Sequence, residues 1–219
     1  MITEITLPAN VTPISHGMTL TADVELSPNF ALGHLLGATA VAALSDPLNE
    51  VTQGLATKIG DLVINPWQLA TNLQHLAVGV MEPMLDAFGK DLCMNCAYLN
   101  PAHLPKVWDG TNSHFRGAAT DIHVAGYAAN MYPVLGEVQR ALGTVTSELG
   151  LMFNNHSWVH VGVNAPHGSK RSKPKLWSWD LQTGQLASAL FPLRGGLSRG
   201  VKYPLNHLTD KLGSVVNPE

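Results

Sequence analysis

The chain has 219 residues, of which 45% are hydrophobic and 13% are charged, and its formal net charge is −3. This size allows one domain with a buried core, and the charge excludes a protein that binds nucleic acid through a strongly basic surface. No apolar run reaches the roughly 18–20 residues of a membrane helix, so we predict no membrane insertion. The start of the sequence lacks the basic and apolar regions of a secretory signal peptide, so we expect synthesis in the cytoplasm.

The first half of the chain contains one well-marked helix. Residues 1–28 are rich in Thr, Pro and Asn, which predicts an extended arm or a few short strands. Residues 30–44 favour a helix weakened by two glycines, and the mixed stretch 45–66 contains a short extended piece, "LVINP". The well-marked helix starts with Asn65 as its cap and Pro66 in its first turn, is kinked or ended by Pro83, and stops at Gly89. Its apolar residues recur every three or four positions, which is typical of a core face: Leu69, Leu73, Leu76, Ala77, Val80, Met84 and Phe88.

The second half alternates predicted strands with one predicted helix. "LCMNCAYLNP" favours a strand and a turn, 101–113 a loop, "AATDIHVAG" a strand, 127–147 a helix and "SWVHVGV" a strand. After Asn164 comes the basic, Pro/Gly/Ser-rich link "APHGSKRSKPK", which we interpret as a solvated loop. The predicted organisation is an N-terminal arm (1–28), a domain (29–164) and a C-terminal extension (165–219).

The chain has two cysteines, Cys93 and Cys96, in "CMNC". A single pair excludes a disulfide framework and a four-cysteine zinc ribbon. One alternative is that the two cysteines form a redox pair. The simpler one is that they are two small residues beside the end of a strand, without a chemical role.

Polar residues that suit a metal site lie in "SHFRGAATDIHVAG" and "SWVHVGV". Two histidines and one aspartate are an acceptable zinc set that leaves a position for water, and the candidates are His114, Asp121, His123 and His160. His114 and Asp121 are an odd number of residues apart, so they converge only if the chain turns, and Gly117 allows a turn.

Two neighbouring strands would complete this site. Asp121 and His123 share one strand face, and His160 lies on the face opposite to Val159, Val161 and Val163. Strands lying side by side would then place Asp121 beside His160. The alternative is that each histidine is a hydrogen-bonded core residue.

"SHFRGAATD" resembles the Ser-x-His-x-x-Gly-x-Ala-x-Asp motif of the zinc D-alanyl-D-alanine carboxypeptidase family, which includes phage L-alanyl-D-glutamate endopeptidases. Ser113 directly precedes His114, one residue closer than in the motif. "SWVHVGV" resembles the family's Trp-x-His strand, and "NLQHLAVGVMEPMLDAFG" with "MNCAYLN" resembles its helix leading to a Ser-x-Tyr-Arg turn. The resemblance spans about residues 25–165. It implies an α+β hedgehog/DD-peptidase fold, with a small antiparallel sheet, flanking helices and terminal arms, and zinc on His114, Asp121 and His160.

Two positions depart from the family pattern. Leu99 stands where the family has an oxyanion-stabilising arginine. The expected positions of the general base hold Asn154 and Ser157, neither of which is a base near neutral pH. The remaining candidates for proton transfer are Glu148, His156 and His123.

The resemblance implies a phage tail or baseplate peptidase that cuts the peptide part of peptidoglycan with zinc-bound hydroxide. Its partners would be the peptidoglycan peptide and, through the terminal arms, other virion tail or baseplate proteins, and its location would be the virion. The departures and the low charge favour an alternative, a catalytically impaired structural component that reuses the fold. A third possibility is an ordinary soluble domain without a metal.

Overall fold

The computed structural model describes residues 1–36, 65–99, 113–168 and 170–190, and the backbone of 201–202. The helices are α1 (Leu32–Leu36), α2 (Pro66–Leu76), α3 (Glu82–Phe88) and α4 (Leu135–Leu142). The strands are β1 (Glu25–Ser27), β2 (Phe30–Ala31), β3 (Leu92–Cys96), β4 (Ala119–Val124), β5 (Thr146–Asn154), β6 (His156–Val163), β7 (Lys175–Asp180), β8 (Gln185–Ala187) and β9 (Val201–Lys202). The predicted helix beyond residue 36, the piece 45–64 and the loop 101–112 lie outside the described residues.

The prediction of a mixed α+β fold is confirmed. In the described residues, β1 and β2 form a small antiparallel sheet. A larger sheet has the order β3-β4-β6-β5-β7-β8-β9, in which β5 and β7 are parallel and the other neighbours are antiparallel. The larger sheet therefore differs from the small antiparallel sheet that the resemblance implies. No described helix has both the length and the apolar character that crossing a membrane requires.

The well-marked helix forms as its caps predict. Asn65 and Gln68 make a reciprocal capping box, with bonds of 2.9 and 3.0 Å, and Pro66 lies in the first turn. Between α2 and α3 the turn widens to a π-helix over Ala77–Met81, and Pro83 follows as the second residue of α3. Because proline has no N–H, this wider turn accommodates the interruption, and the predicted break in the regular helix is confirmed. Gly89, with φ of 55°, follows the end of α3.

The main core lies between the helices and one face of the larger sheet. The predicted helix stripe is buried there, apart from Phe88, which is partly buried. The sheet supplies alternate residues, so that Val159, Val161 and Val163 point into this core while His160 points to the other face. The predicted split of faces on β6 is therefore confirmed.

The N-terminal residues lie against this core. Ile14, Leu20 and Leu26 are buried in it. A Cβ built on Gly79 would collide with the side chain of Ile5, so the glycine in the π-helical turn lets the N-terminal segment approach the helix closely. Residues 1–28 thus cover α2 and the π-helical turn.

The predicted helix over 127–147 is wrong in its bounds. A 3₁₀ turn spans Tyr132–Val134 and α4 covers only Leu135–Leu142, ending at Gly143 with φ of 53°. Beyond it Val145 and Thr146 are β-branched residues that favour a strand, and β5 begins at Thr146.

Strands β5, β7 and β8 were not anticipated from the sequence. β5 forms a tight hairpin with β6, in which Asn154 pairs with His156 and Asn155 occupies the tip with φ of 51°. β7 and β8 come from the predicted C-terminal extension and add to the same sheet.

The chain turns at Gly117, as predicted for His114 and Asp121 to converge. A 3₁₀ turn spans Ser113–Arg116, Gly117 follows with φ of 66°, and β4 begins at Ala119. A Cβ built on Gly117 would lie 2.8 Å from Leu69 and 2.9 Å from Leu73. Gly117 therefore reverses the chain and packs on α2 at the same point.

We expect Gly117→Ala to lower the free energy of unfolding by about 1–3 kcal/mol from backbone strain alone, with a further loss from the clash with α2. Gly126→Ala is the matched control, because Gly126 has φ of 83° and open space around its Cα. Thermal or denaturant unfolding measures both. Equal losses in the two variants would contradict the packing role of Gly117.

Candidate metal centre

Three predicted ligand residues meet at one point on the face of the sheet opposite the main core. His114 Nε2 lies 3.2 Å from Asp121 Oδ1 and 3.1 Å from His160 Nδ1, and His160 Nδ1 lies 2.9 Å from the same carboxylate oxygen. Ligand atoms around a tetrahedral zinc ion with bonds of about 2.0–2.1 Å are about 3.3 Å apart. The three atoms thus form a triangle with nearly the edge lengths of one tetrahedral face.

Asp121 and His160 are placed by strand pairing. β4 and β6 are antiparallel, and in their register Asp121 is the direct partner of His160. Directly opposite residues on one face have adjacent side chains. The prediction that two neighbouring strands bring these residues together is confirmed.

His114 reaches the same point from the 3₁₀ turn before Gly117. It is buried, with 3% of its surface exposed, and its Nδ1 lies 2.9 Å from the carbonyl oxygen of Ala97. That carbonyl accepts a hydrogen bond from Nδ1–H, so in the neutral imidazole the lone pair is on Nε2, the nitrogen that faces Asp121. The tautomer that a metal needs is thereby selected.

His160 has the equivalent arrangement at its other nitrogen. Nε2 lies 3.5 Å from Glu148 Oε2, while Nδ1 faces Asp121. Glu148 is held by Arg171, whose Nε and Nη2 lie 2.9 and 2.7 Å from Oε1. A carboxylate behind the outer nitrogen of a histidine is the usual support of a metal-ligating imidazole.

Cys96 also lies at this point because of a β-bulge. The register of β3 on β4 shifts between Met94 and Cys96, so Cys93 pairs with His123 and Cys96 pairs with Asp121. Cys96, His114 and Asp121 offer ligand atoms within 4.8 Å of one another, a group that can hold a metal ion. Both cysteines are free thiols.

Trp177 covers one flank of His160. It lies in the same row across the sheet, beyond Gly150, and its ring centroid is 5.4 Å from that of His160. A Cβ built on Gly150 would collide with the Trp177 ring. The glycine thus makes room for the indole, which shields the imidazole from that side.

The buried charges at this site stabilise one another. Burial alone would lower the pKa of His114 and of His160, but Asp121 outweighs it for both, assisted by Cys96 for His114 and by Glu148 for His160, and both pKa values are raised. Burial alone would raise the pKa of Asp121, yet the two imidazoles hold that pKa below its usual range. A metal cation would replace the imidazole protons as the positive partner of Asp121.

The surroundings shift the pKa values of Glu148 and Cys96 in opposite directions. Burial would raise the pKa of Glu148, but His160 and Arg171 lower it, so Glu148 is an anion at neutral pH. Burial, followed by the charge of Asp121, raises the pKa of the Cys96 thiol.

The other two predicted proton-transfer residues lie further along the same face. His123 is two residues beyond Asp121 on β4, and its Nδ1 lies 2.7 Å from Asn95 Oδ1. Burial and the nearby His156 lower the pKa of His123. His156 is exposed at the first position of β6, two rows from His160 with Trp158 between them.

Three residues differ from the carboxypeptidase motifs that the sequence resembles, and the structure describes where each of them lies. Ser157 is buried, and its hydroxyl oxygen accepts a hydrogen bond from the Met131 N–H at 3.1 Å. Asn154 ends β5 at the hairpin, and Leu99 is half-buried after β3.

A cavity of about 300 Å³ opens beside Glu148. Its lining residues include Ser113, Arg116, Lys170 and Arg171. Lys170 pairs with Glu4 at 2.9 Å and Arg171 pairs with Glu148, so part of the basic link predicted as a solvated loop makes specific ion pairs.

Sequence reasoning missed Cys96, Trp177 and Arg171 as parts of this site. The alternation in "LWSW" is a strand signal that predicts β7 and hence the placement of Trp177. No comparable signal marks the bulge at Asn95, which requires knowledge of how β3 pairs.

Comparisons of the chain with protein-family models, with curated proteins and with solved structures give no match.

Proposed function

We propose that the chain is a zinc-dependent, peptidase-like hydrolase that acts on the peptide part of peptidoglycan and belongs to a phage tail or baseplate. The observation that carries the proposal is the triangle of His114 Nε2, Asp121 Oδ1 and His160 Nδ1, with edges of 2.9 to 3.2 Å. His114 Nε2 and His160 Nδ1 both face one carboxylate oxygen, so a single metal ion in place of their protons would be bound by all three atoms.

The donor set fits zinc. Zinc binds both imidazole nitrogens and carboxylate oxygens, and three protein ligands are the usual number in catalytic zinc sites. When bound, zinc supplies Lewis-acid chemistry, polarising a carbonyl group and lowering the pKa of water. The motifs "SHFRGAATD" and "SWVHVGV", which carry the resemblance to the zinc carboxypeptidase family, contain these three ligands.

The protein's own residues would divide the remaining tasks. Glu148 orients His160, because its carboxylate faces the outer nitrogen of that imidazole and is held by Arg171. His123 would accept the proton, since it shares a strand face with Asp121 two residues further along β4. The cavity beside Glu148 would receive the substrate, and Arg116, Lys170 and Arg171 are among its lining residues.

A structural role is the second candidate, and specific observations favour it. Ser157 is engaged by the Met131 backbone, and Asn154 and Leu99 supply neither a base nor a cation. Loss of a general base costs about 10²–10⁴-fold in rate and loss of an oxyanion donor about 10²–10³-fold. Without replacements, the domain would bind zinc and serve a tail or baseplate assembly through packing.

We expect about one zinc ion per chain in the wild-type protein and loss of stoichiometric zinc in His114→Ala and His160→Ala, since each removes one of three ligands. His156→Ala is the matched control on the same strand and should keep the metal. Elemental analysis after dialysis measures this. A wild-type protein without metal, or His160→Ala with full zinc, would refute the metal site.

We expect hydrolysis of purified cell wall by the zinc-loaded protein, and a decrease of about 10²–10⁴-fold in His123→Ala, with zinc content unchanged. His156→Ala should keep nearly full activity because His156 is two rows from His160. Release of peptide fragments measures the rate. Zinc binding with no hydrolysis at all would support the structural candidate.

Glu148→Gln tests whether this carboxylate orients His160. We expect zinc affinity to fall about 10- to 100-fold, as for other partners of metal ligands, because the neutral amide supports the imidazole less strongly. Competition with a chromophoric chelator measures the dissociation constant. Unchanged affinity with lost hydrolysis would instead identify Glu148 as the proton acceptor.

A further inference from the structure

Cys96 contacts the outer sides of two ligand residues. Its Sγ lies 3.7 Å from Asp121 Oδ2 and 4.0 Å from His114 Nδ1. The atoms that face one another in the triangle are instead Asp121 Oδ1 and His114 Nε2. The thiol therefore lies beside Asp121 Oδ2, whereas both imidazoles contact Asp121 Oδ1.

The backbone around Cys96 is arranged to keep it there. The bulge between Met94 and Cys96 adds one residue to β3, so the thiol points to the same face as Asp121. Thr120 Oγ1–H donates to the carbonyl oxygen of Cys96 at 3.0 Å, which ties the end of β3 to β4. The next carbonyl along the chain, that of Ala97, accepts the hydrogen bond from His114.

We propose that Cys96 is a positioning residue whose S–H donates to Asp121 Oδ2, so that Asp121 binds the metal through Oδ1 alone and the fourth position stays open. This inference rests on the proposed zinc site. A carboxylate that is free to rotate can bind a metal through both oxygens, and a donor on the second oxygen removes that option. The open fourth position is what distinguishes a catalytic zinc site from a closed structural one.

Cobalt(II) in place of zinc distinguishes a positioning thiol from a ligand. A thiolate bound to Co²⁺ gives an intense charge-transfer band in the near ultraviolet, whereas a thiol held on Asp121 gives none. We expect no such band in the wild-type Co²⁺ protein. Its presence would overturn the proposal and make Cys96 the fourth ligand of a closed site.

Zinc affinity of variants gives an independent measurement. Cys96→Ala removes the donor and should raise the zinc dissociation constant about 10- to 100-fold, while Cys96→Ser keeps a donor and should stay close to wild type. Cys93→Ala is the matched control, because Cys93 lies on the same strand and contacts the Asp91 carbonyl oxygen at 3.8 Å instead of a ligand. Equal affinity of wild type and Cys96→Ala would overturn the proposal.

The same measurements separate this inference from the proposed zinc site. If the wild-type protein binds neither Zn²⁺ nor Co²⁺, the site itself fails; if it binds both but Cys96→Ala matches wild type, only the positioning role fails. Thermal unfolding of the metal-free variants checks that they are folded. Should Cys96→Ala not fold, Cys96→Val takes its place in the affinity comparison, because valine fills a similar volume and has no donor; an affinity equal to that of Cys96→Ser would overturn the proposal.

Discussion

The antiparallel register of β4 and β6 is the constraint on which the rest of the site depends. It sets Asp121 directly opposite His160, and the alternation of side chains then places Val159 and Val161 in the core. A slip of one residue would turn the valines out and the polar pair in, so burial of the valines holds the polar pair in register. The hydrophobic core thereby determines the geometry of a site that lies on the other face of the sheet.

Around that pair, positive and negative groups alternate through contacting side chains. His114, Asp121, His160, Glu148 and Arg171 follow one another, with each carboxylate between two potential cations. Removing one member of such a buried series leaves its neighbour with an uncompensated charge, which costs far more than the loss of a surface ion pair. Exchanging the imidazole protons for a metal ion keeps a positive charge beside Asp121, and is therefore tolerated better than the loss of a side chain.

The sequence predicted the ligands better than it predicted their surroundings. His114, Asp121 and His160 follow from local patterns, namely strand alternation and a glycine turn, and the structure brings all three together. Cys96 and Arg171 were not foreseen, because one depends on a bulge and the other on a chain segment that returns to β5 from outside the predicted domain. Similarly, the caps of α2 were predicted correctly, whereas α4 is shorter at both ends than the predicted 127–147, because a 3₁₀ turn precedes it and Gly143 ends it.

The parallel pairing of β5 with β7 has a consequence for how the chain assembles. β5 pairs with β6 through a hairpin, and the chain after β6 passes the end of β5 before β7 adds to the opposite side of β5. Until that happens, β5 is an edge strand that carries Leu149, Leu151 and Phe153, and unpaired apolar edges readily join strands of other molecules. During synthesis, the arrival of β7 therefore both shields His160 and ends a period in which nascent chains are prone to aggregate.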